Sequence, residues 1–214
     1  QTGGGDSTFS GLIYGPNGAK GGPTYSFTSD TNTGMYLEGT DTVALAAGGN
    51  AVLSVGASSI SLNANTTLSN NNLILDGNSN IVLDTSLSST QSSGTIIKHG
   101  GHMSSLTAGK VYYGYNASGN MFWGDINAGS NNSRNILAVS IGTDADVDGM
   151  LLNGILYKAS HGFTVGAALY LSGTNGLFTN TAPTTSNHYA RVLGYATDSN
   201  HIYFCPDNTW VKID

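Results

Sequence analysis

Residues 42–62 read Thr42-Val43-Ala44-Leu45-Ala46-Ala47-Gly48-Gly49-Asn50-Ala51-Val52-Leu53-Ser54-Val55-Gly56-Ala57-Ser58-Ser59-Ile60-Ser61-Leu62. Apolar side chains come in short alternating groups, Val43-Ala44-Leu45, Val52-Leu53-Ser54-Val55 and Ile60-Ser61-Leu62. The series continues with Leu68, Leu73-Ile74-Leu75 and Ile81-Val82-Leu83. Such alternation is strand spacing, because successive side chains on a strand point to opposite faces. Between the groups lie Gly48-Gly49-Asn50, Asn63-Ala64-Asn65, Asn70-Asn71-Asn72 and Asp76-Gly77-Asn78, each a turn signal. Strands this short cannot bury an apolar face alone, so a ladder of them must stack along an axis or pair with other chains. Three identical chains around a threefold axis bury those faces against one another and remove exposed edges. The stretch 41–97 is therefore expected to be the β shaft of an intertwined homotrimer. A single-chain β-helix is the alternative, and it normally uses longer regular coils.

Working outward, residues 1–40 are Gly-rich and irregular. Their densest part is Pro23-Thr24-Tyr25-Ser26-Phe27-Thr28-Ser29-Asp30, where Tyr25 and Phe27 alternate with polar neighbours. Thr33-Gly34-Met35-Tyr36-Leu37 reads as a turn feeding another short strand. This region is expected to attach or begin the shaft. Residues 98–214 hold most of the Tyr and both Trp. Strand candidates there are 110–115, 120–124, 136–141, 150–158, 167–171, 190–196, 201–204 and 209–213, with no convincing helical period. Spacing of roughly ten residues predicts a small β-barrel or sandwich tip.

Composition agrees with an all-β fold. Gly, Ser, Thr and Asn supply about half of the 214 residues. Charged residues are 9%, against about 25% in ordinary domains, and Glu38 is the single Glu, which excludes helical bundles and coiled coils. A net charge of −6 lacks the basic footprint of a nucleic-acid binder. Hydrophobic content of 39% and 11 Tyr exceed what a disordered tail carries. No apolar run reaches the roughly 20 residues of a membrane-spanning helix. Cys205 is the lone cysteine, so no intrachain disulfide forms. The opening Gln1-Thr2-Gly3-Gly4-Gly5-Asp6 shows no signal peptide and no initiator Met, as expected of a processed chain or a portion of a longer one.

The segment Gly22-Pro23-Thr24-Tyr25-Ser26-Phe27-Thr28-Ser29-Asp30-Thr31-Asn32-Thr33-Gly34-Met35-Tyr36, followed by Asp41-Thr42-Val43-Ala44-Leu45 and Gly48-Gly49, resembles a stretch found in tail-fibre and other virion proteins of tailed bacteriophages. The C-terminal part is similar to phage fibre tips at Val147-Asp148-Gly149-Met150-Leu151-Leu152-Asn153-Gly154-Ile155 and at Val165-Gly166-Ala167-Ala168-Leu169-Tyr170-Leu171-Ser172. The likeness continues through Arg191-Val192-Leu193-Gly194-Tyr195-Ala196 and Ile202-Tyr203-Phe204-Cys205-Pro206-Asp207-Asn208-Thr209-Trp210-Val211. It covers about half of the chain. It implies a homotrimeric virion fibre, on tail or capsid, and no catalytic activity.

Candidate chemistry is sparse. Asp144, Asp146 and Asp148, closed by Gly149, begin like a calcium loop, whose hard oxygen ligands converge at a sharp turn. Position 12 of such a loop is Ile155, which cannot ligate, so an acidic solvated turn is the competing reading. His99-Gly100-Gly101-His102 could present histidines three times around an axis, but reads better as a flexible joint. Glycoside hydrolysis needs two placed carboxylates, which nothing in the sequence indicates. His201 and Cys205 share a strand face, yet apolar neighbours and Pro206 favour a buried thiol. Binding has more support. Tyr112, Tyr115, Asn116 and Phe122 combine aromatic faces with an amide, and Asn131, Asn132 and Asn187 sit in loops suited to contact. Tyr113 and Trp123 read as core.

The expected protein is a non-enzymatic homotrimeric virion fibre without a cofactor. It joins other virion proteins through residues 1–40 and a host-surface glycan or protein through its tip, with neither nucleic-acid binding nor membrane insertion. The alternatives are a capsid-decorating or cement fibre with no receptor, and a glycan-cleaving spike.

Overall fold

The computed structural model of the protein describes residues 11, 14–64, 66, 81–89, 91–102 and 105–214. The fold is all-β, with no α-helix among the described residues. Two compact units divide the chain, Gln1–Asn78 and Ser79–Asp214.

The first unit carries a five-stranded antiparallel meander: β1 (Tyr25–Phe27), β2 (Asp30–Gly39), β3 (Thr42–Ala47), β4 (Asn50–Gly56) and β5 (Ile60–Leu62), each paired with the next. Gly48 and Gly49 close the β3–β4 hairpin with φ of 57° and 77°. Two successive left-handed residues give the turn whose twist matches the flanking strands, and glycine adopts that conformation without strain. Register lines up Tyr36, Ala44 and Ser54 on one face. The other face carries Met35, Leu45, Leu53 and Leu62 in one row and Leu37, Val43, Val55 and Ile60 in the next. The face of small residues is the covered one, with Ala44 1% and Tyr36 5% exposed. The face of large apolar residues is open: Leu45 is 44% exposed, Leu62 58% and Ile60 70%. A sheet in water normally does the reverse.

The expected short-strand series thus yields β3, β4 and β5. Leu68 and Leu73-Ile74-Leu75 lie outside the described residues. Ile81-Val82-Leu83 forms no strand, and Ile81 and Val82 are open to solvent. The predicted division at 40/41 falls in the β2–β3 turn of one continuous sheet, and residues 92–97 pair within the second unit rather than with β5.

The second unit begins with β6 (Ser92–Ile97), β7 (Gly101–His102), β8 (Val111–Ala117) and β9 (Asn120–Asp125). A 3-10 turn at Asn131–Arg134 leads to β10 (Leu137–Ser140) and β11 (Met150–Tyr157). Then come β12 (Ala168–Leu171), β13 (Phe178–Thr179), β14 (Tyr189–Ala190), β15 (Gly194–Ala196), β16 (His201–Phe204) and β17 (Val211–Lys212). Strand β11 organises the unit. One of its edges is taken by β6, and the other by β10 and then β16. From there two leaves run apart, β10-β8-β9-β7 and β16-β15-β12-β13, while β14 and β17 pair separately. The sheet does not close, so the barrel version of the sequence expectation is not found. Instead the leaves share one core, formed by Val111, Leu137 and Val139 from the first leaf and Leu169, Leu171, Ile202 and Phe204 from the second. A second cluster holds Leu106, Tyr112, Trp123, Ala138 and Met150. Neighbouring residues Leu137 and Ala138, and Met150 and Leu151, fall in different clusters, so the centre of this sheet is buried on both faces.

The Gly100-Gly101 pair, expected to be a flexible joint, is packed. A Cβ on Gly100 would lie 2.6 Å from Nε1 of Trp123, and that nitrogen donates to the His99 carbonyl at 2.9 Å. These glycines let β7 lie against β9 beneath a large indole.

Candidate functional site

A cleft of about 400 Å³ opens in the second unit where three non-adjacent segments meet. The 3-10 turn contributes Arg134 and Asn135, β11 contributes Leu152 and Asn153, and the C-terminal stretch contributes Pro206, Asn208 and Trp210. Local chemistry sets each wall. Ser130 caps the 3-10 turn, its hydroxyl accepting from the Asn132 N–H at 3.2 Å. The β6–β11 register shifts between Leu151 and Asn153, and such a bulge re-aims the side chains that follow it. The Asp207 carboxylate accepts from the Thr209 N–H at 3.0 Å, which shapes the turn bearing Asn208 and Trp210.

Arg191 forms the base of this cleft and is only 6% exposed. Its Nη1 donates to the carbonyls of Ser133 at 2.8 Å and Asn135 at 2.7 Å, at the C-terminal end of the 3-10 turn. Its Nε donates to the Asp207 carbonyl. One guanidinium therefore ties the wall segments together. Burial pulls its pKa below the ordinary value, opposed by the nearby Asp207 charge. No described carboxylate forms an ion pair with it; both ion pairs among the described residues belong to histidines. Arg134 donates from Nε to the Asn131 carbonyl at 3.1 Å and sits 5.8 Å from the ring centre of Tyr189. Trp210 is 41% exposed, an apolar ring left open at the rim.

The sequence-predicted contact residues scatter around this unit. Tyr112 is 5% exposed and belongs to the second core cluster, its hydroxyl accepting from the Thr107 N–H at 2.8 Å. It is a core side chain, because odd and even positions of β8 are both covered near its start. Tyr115 and Phe122 do come together, with ring centres 6.1 Å apart, and Tyr113 extends the row at 5.4 Å from Tyr115. Gly124 provides room beneath them: a Cβ there would lie 2.7 Å from the Tyr113 ring. Asn116 accepts from the Gly119 N–H at 3.1 Å and serves the β8–β9 turn. Asn131 accepts from the Tyr189 hydroxyl at 2.9 Å, and Asn132 is half-buried in the 3-10 turn. Asn187 is exposed and adopts φ of 64°.

In the Asp144–Gly149 loop, two of the three carboxylates serve the backbone. Asp144 Oδ1 accepts from the N–H groups of Asp146 at 2.9 Å and Val147 at 3.2 Å. Asp148 Oδ2 accepts from Thr143 at 2.7 Å and Asp144 at 3.0 Å. The bonds from the Asp146 and Val147 N–H groups, with a smaller effect from His102, hold the Asp144 pKa below the usual carboxylate value. Asp146 is exposed, and Ile155 is buried in β11. Among the described residues no group of three or more His, Cys, Asp or Glu side chains gathers as metal ligands do. His201 turns Nδ1 to Asp198, 2.8 Å from Oδ2, while burial, helped by Asp207, pushes the Cys205 thiol pKa up.

No protein-family model, curated protein or solved structure matches the chain.

The sequence reading passed over the cleft. Its residues come from positions near 134, 153, 191 and 208, which only the β11 topology brings together. One signal was available: Arg134 and Arg191 are the only arginines in the chain, and both line it.

Proposed function

We propose that the chain is a subunit of a homotrimeric fibre on a tailed-phage virion, without enzymatic activity. In this reading residues of the first unit associate around a threefold axis and the second unit contacts the host surface. The observation that carries it is the inverted first sheet. Met35, Leu37, Val43, Leu45, Val55, Ile60 and Leu62 share one face and are all open to solvent in the isolated chain. A contiguous apolar face of that kind marks an interaction surface. Copies of the same face around an axis are self-complementary in character, and closed symmetry leaves none exposed. The resemblance of residues 22–36, 147–155, 165–172, 191–196 and 202–211 to phage fibre and virion proteins supports the virion setting. Attachment through the tip needs only weak single-site contacts, because three copies on one fibre multiply them.

Light scattering on the intact chain tests the assembly. The expected mass is three times the 22.0 kDa of one chain. A monomer at all concentrations refutes it. Immunogold labelling of particles tests the virion setting and separates a tail from a capsid position.

A further inference from the structure

We infer that the cleft around Arg191 binds a carboxylate-bearing sugar residue, so that the glycan the fibre grips is an acidic one. This rests on the attachment reading above and adds the ligand's chemistry. A cation that is 94% buried, as the 6% exposure of Arg191 implies, normally has a carboxylate beside it. Arg191 has three backbone carbonyls instead, and these occupy Nε and Nη1. Nη2 has no protein acceptor among the described residues, and Arg191 lines the cleft. Asp207, whose charge acts on Arg191, is exposed and turned to the Thr209 N–H. The cleft therefore presents a buried guanidinium whose Nη2 has no carboxylate in contact with it. A ligand carboxylate supplies that contact, and its charge-assisted bond from Nη2 is shorter and stronger than a neutral hydrogen bond.

The remaining lining matches the rest of a sugar. Trp210 offers an open ring face for the apolar side of a pyranose, and the amides of Asn135, Asn153 and Asn208 can both donate to and accept from hydroxyls. Arg134 adds a second positive charge, oriented by Tyr189. The volume of about 400 Å³ falls within the range of small-ligand clefts. A nucleic-acid backbone fits poorly, because two local arginines on a chain of net charge −6 make a point contact rather than a basic track.

The test is a glycan array probed with the full chain. It carries uronic-acid, sialic-acid, phosphorylated, sulfated and neutral oligosaccharides, and carboxyl-reduced copies of the acidic ones. The expected result is binding confined to carboxylate-bearing glycans and lost on reduction. Arg134→Gln and Trp210→Ala should each weaken it about tenfold, the scale of one charge-assisted bond or one stacking face, with circular dichroism showing the fold retained. Those two variants keep the test decisive even if Arg191→Lys fails to fold. Binding that survives carboxyl reduction, that is confined to phosphorylated or sulfated glycans, or that both variants leave intact overturns the inference. So does a trimer with no glycan binding at all, which leaves the fibre assembly standing. A monomer that still binds acidic glycans selectively overturns the fibre reading and supports the cleft.

Discussion

Replacing Leu45 by aspartate puts a charge in the middle of the open face of the first sheet, and in a threefold assembly it puts three charges there. Leu45 is 44% exposed in the single chain, between Met35 and Leu53 in the register. Full burial of a leucine contributes about 1.5–3 kcal/mol, so the part still open holds about 1 kcal/mol to be gained on association. Three copies make about 3 kcal/mol per trimer, roughly a hundredfold in the assembly constant, and Leu45→Ala should lose that much. Leu45→Asp should lose more, because three carboxylates must also be desolvated close together at several kcal/mol each. Thr40→Asp, in the β2–β3 turn, adds the same charge off this face and serves as the control. Sedimentation velocity over a dilution series reads the outcome. Wild type and Thr40→Asp should remain trimers at dilutions where Leu45→Ala begins to dissociate and Leu45→Asp is monomeric. If Leu45→Asp sediments as wild type does, this face is not the assembly surface and the argument fails.

Three further outcomes follow from the second unit. Asp144, Asp198 and Asp207 are each held below the ordinary carboxylate pKa, chiefly by backbone N–H donors. Groups depressed in the folded state add stability above their unfolded value of about 4, and that stability is lost as pH falls through the folded values. Urea midpoints should thus hold down to about pH 4 and drop below it, with a shallower drop in Asp144→Asn; an identical drop would remove Asp144 from the account. Gly100→Ala forces a Cβ against the Trp123 indole at φ of 104°, which should cost about 1–3 kcal/mol in denaturant titrations and alter the near-ultraviolet circular dichroism; a neutral effect would mean the joint yields freely. The raised Cys205 thiol should react slowly with a disulfide reagent at neutral pH and rapidly once urea unfolds the chain. Equal rates would show an activated thiolate.

Much of the fold was legible in the sequence because it rests on local alternation. Each of the eight strand candidates between 110 and 213 overlaps an observed strand, as do the groups at 43, 52 and 60. The failures are non-local. Ser92-Ser93-Gly94 carries no apolar signal, and its strand exists because β11, far along the chain, offers an edge. Ile81-Val82-Leu83 has the right residues and no partner among the described strands. Tyr112 looks like a binding aromatic until both faces of β8 are seen to be covered. The cleft was the hardest to foresee, since its base is an arginine whose role depends on three carbonyls from two distant segments.

The place of β6 gives the second unit a mechanical character. A load transmitted along the chain from the first unit reaches β6 before any other strand of the second. There it meets not a rim but β11, to which six residues of β6 are matched from Ser92 to Ile97. Tension along the axis of β6 is shared by the rungs of that ladder together, so they resist in shear and do not peel one after another. β11 also bears Asn153 at the cleft, so the strand that takes up this load is the one beside the proposed grip.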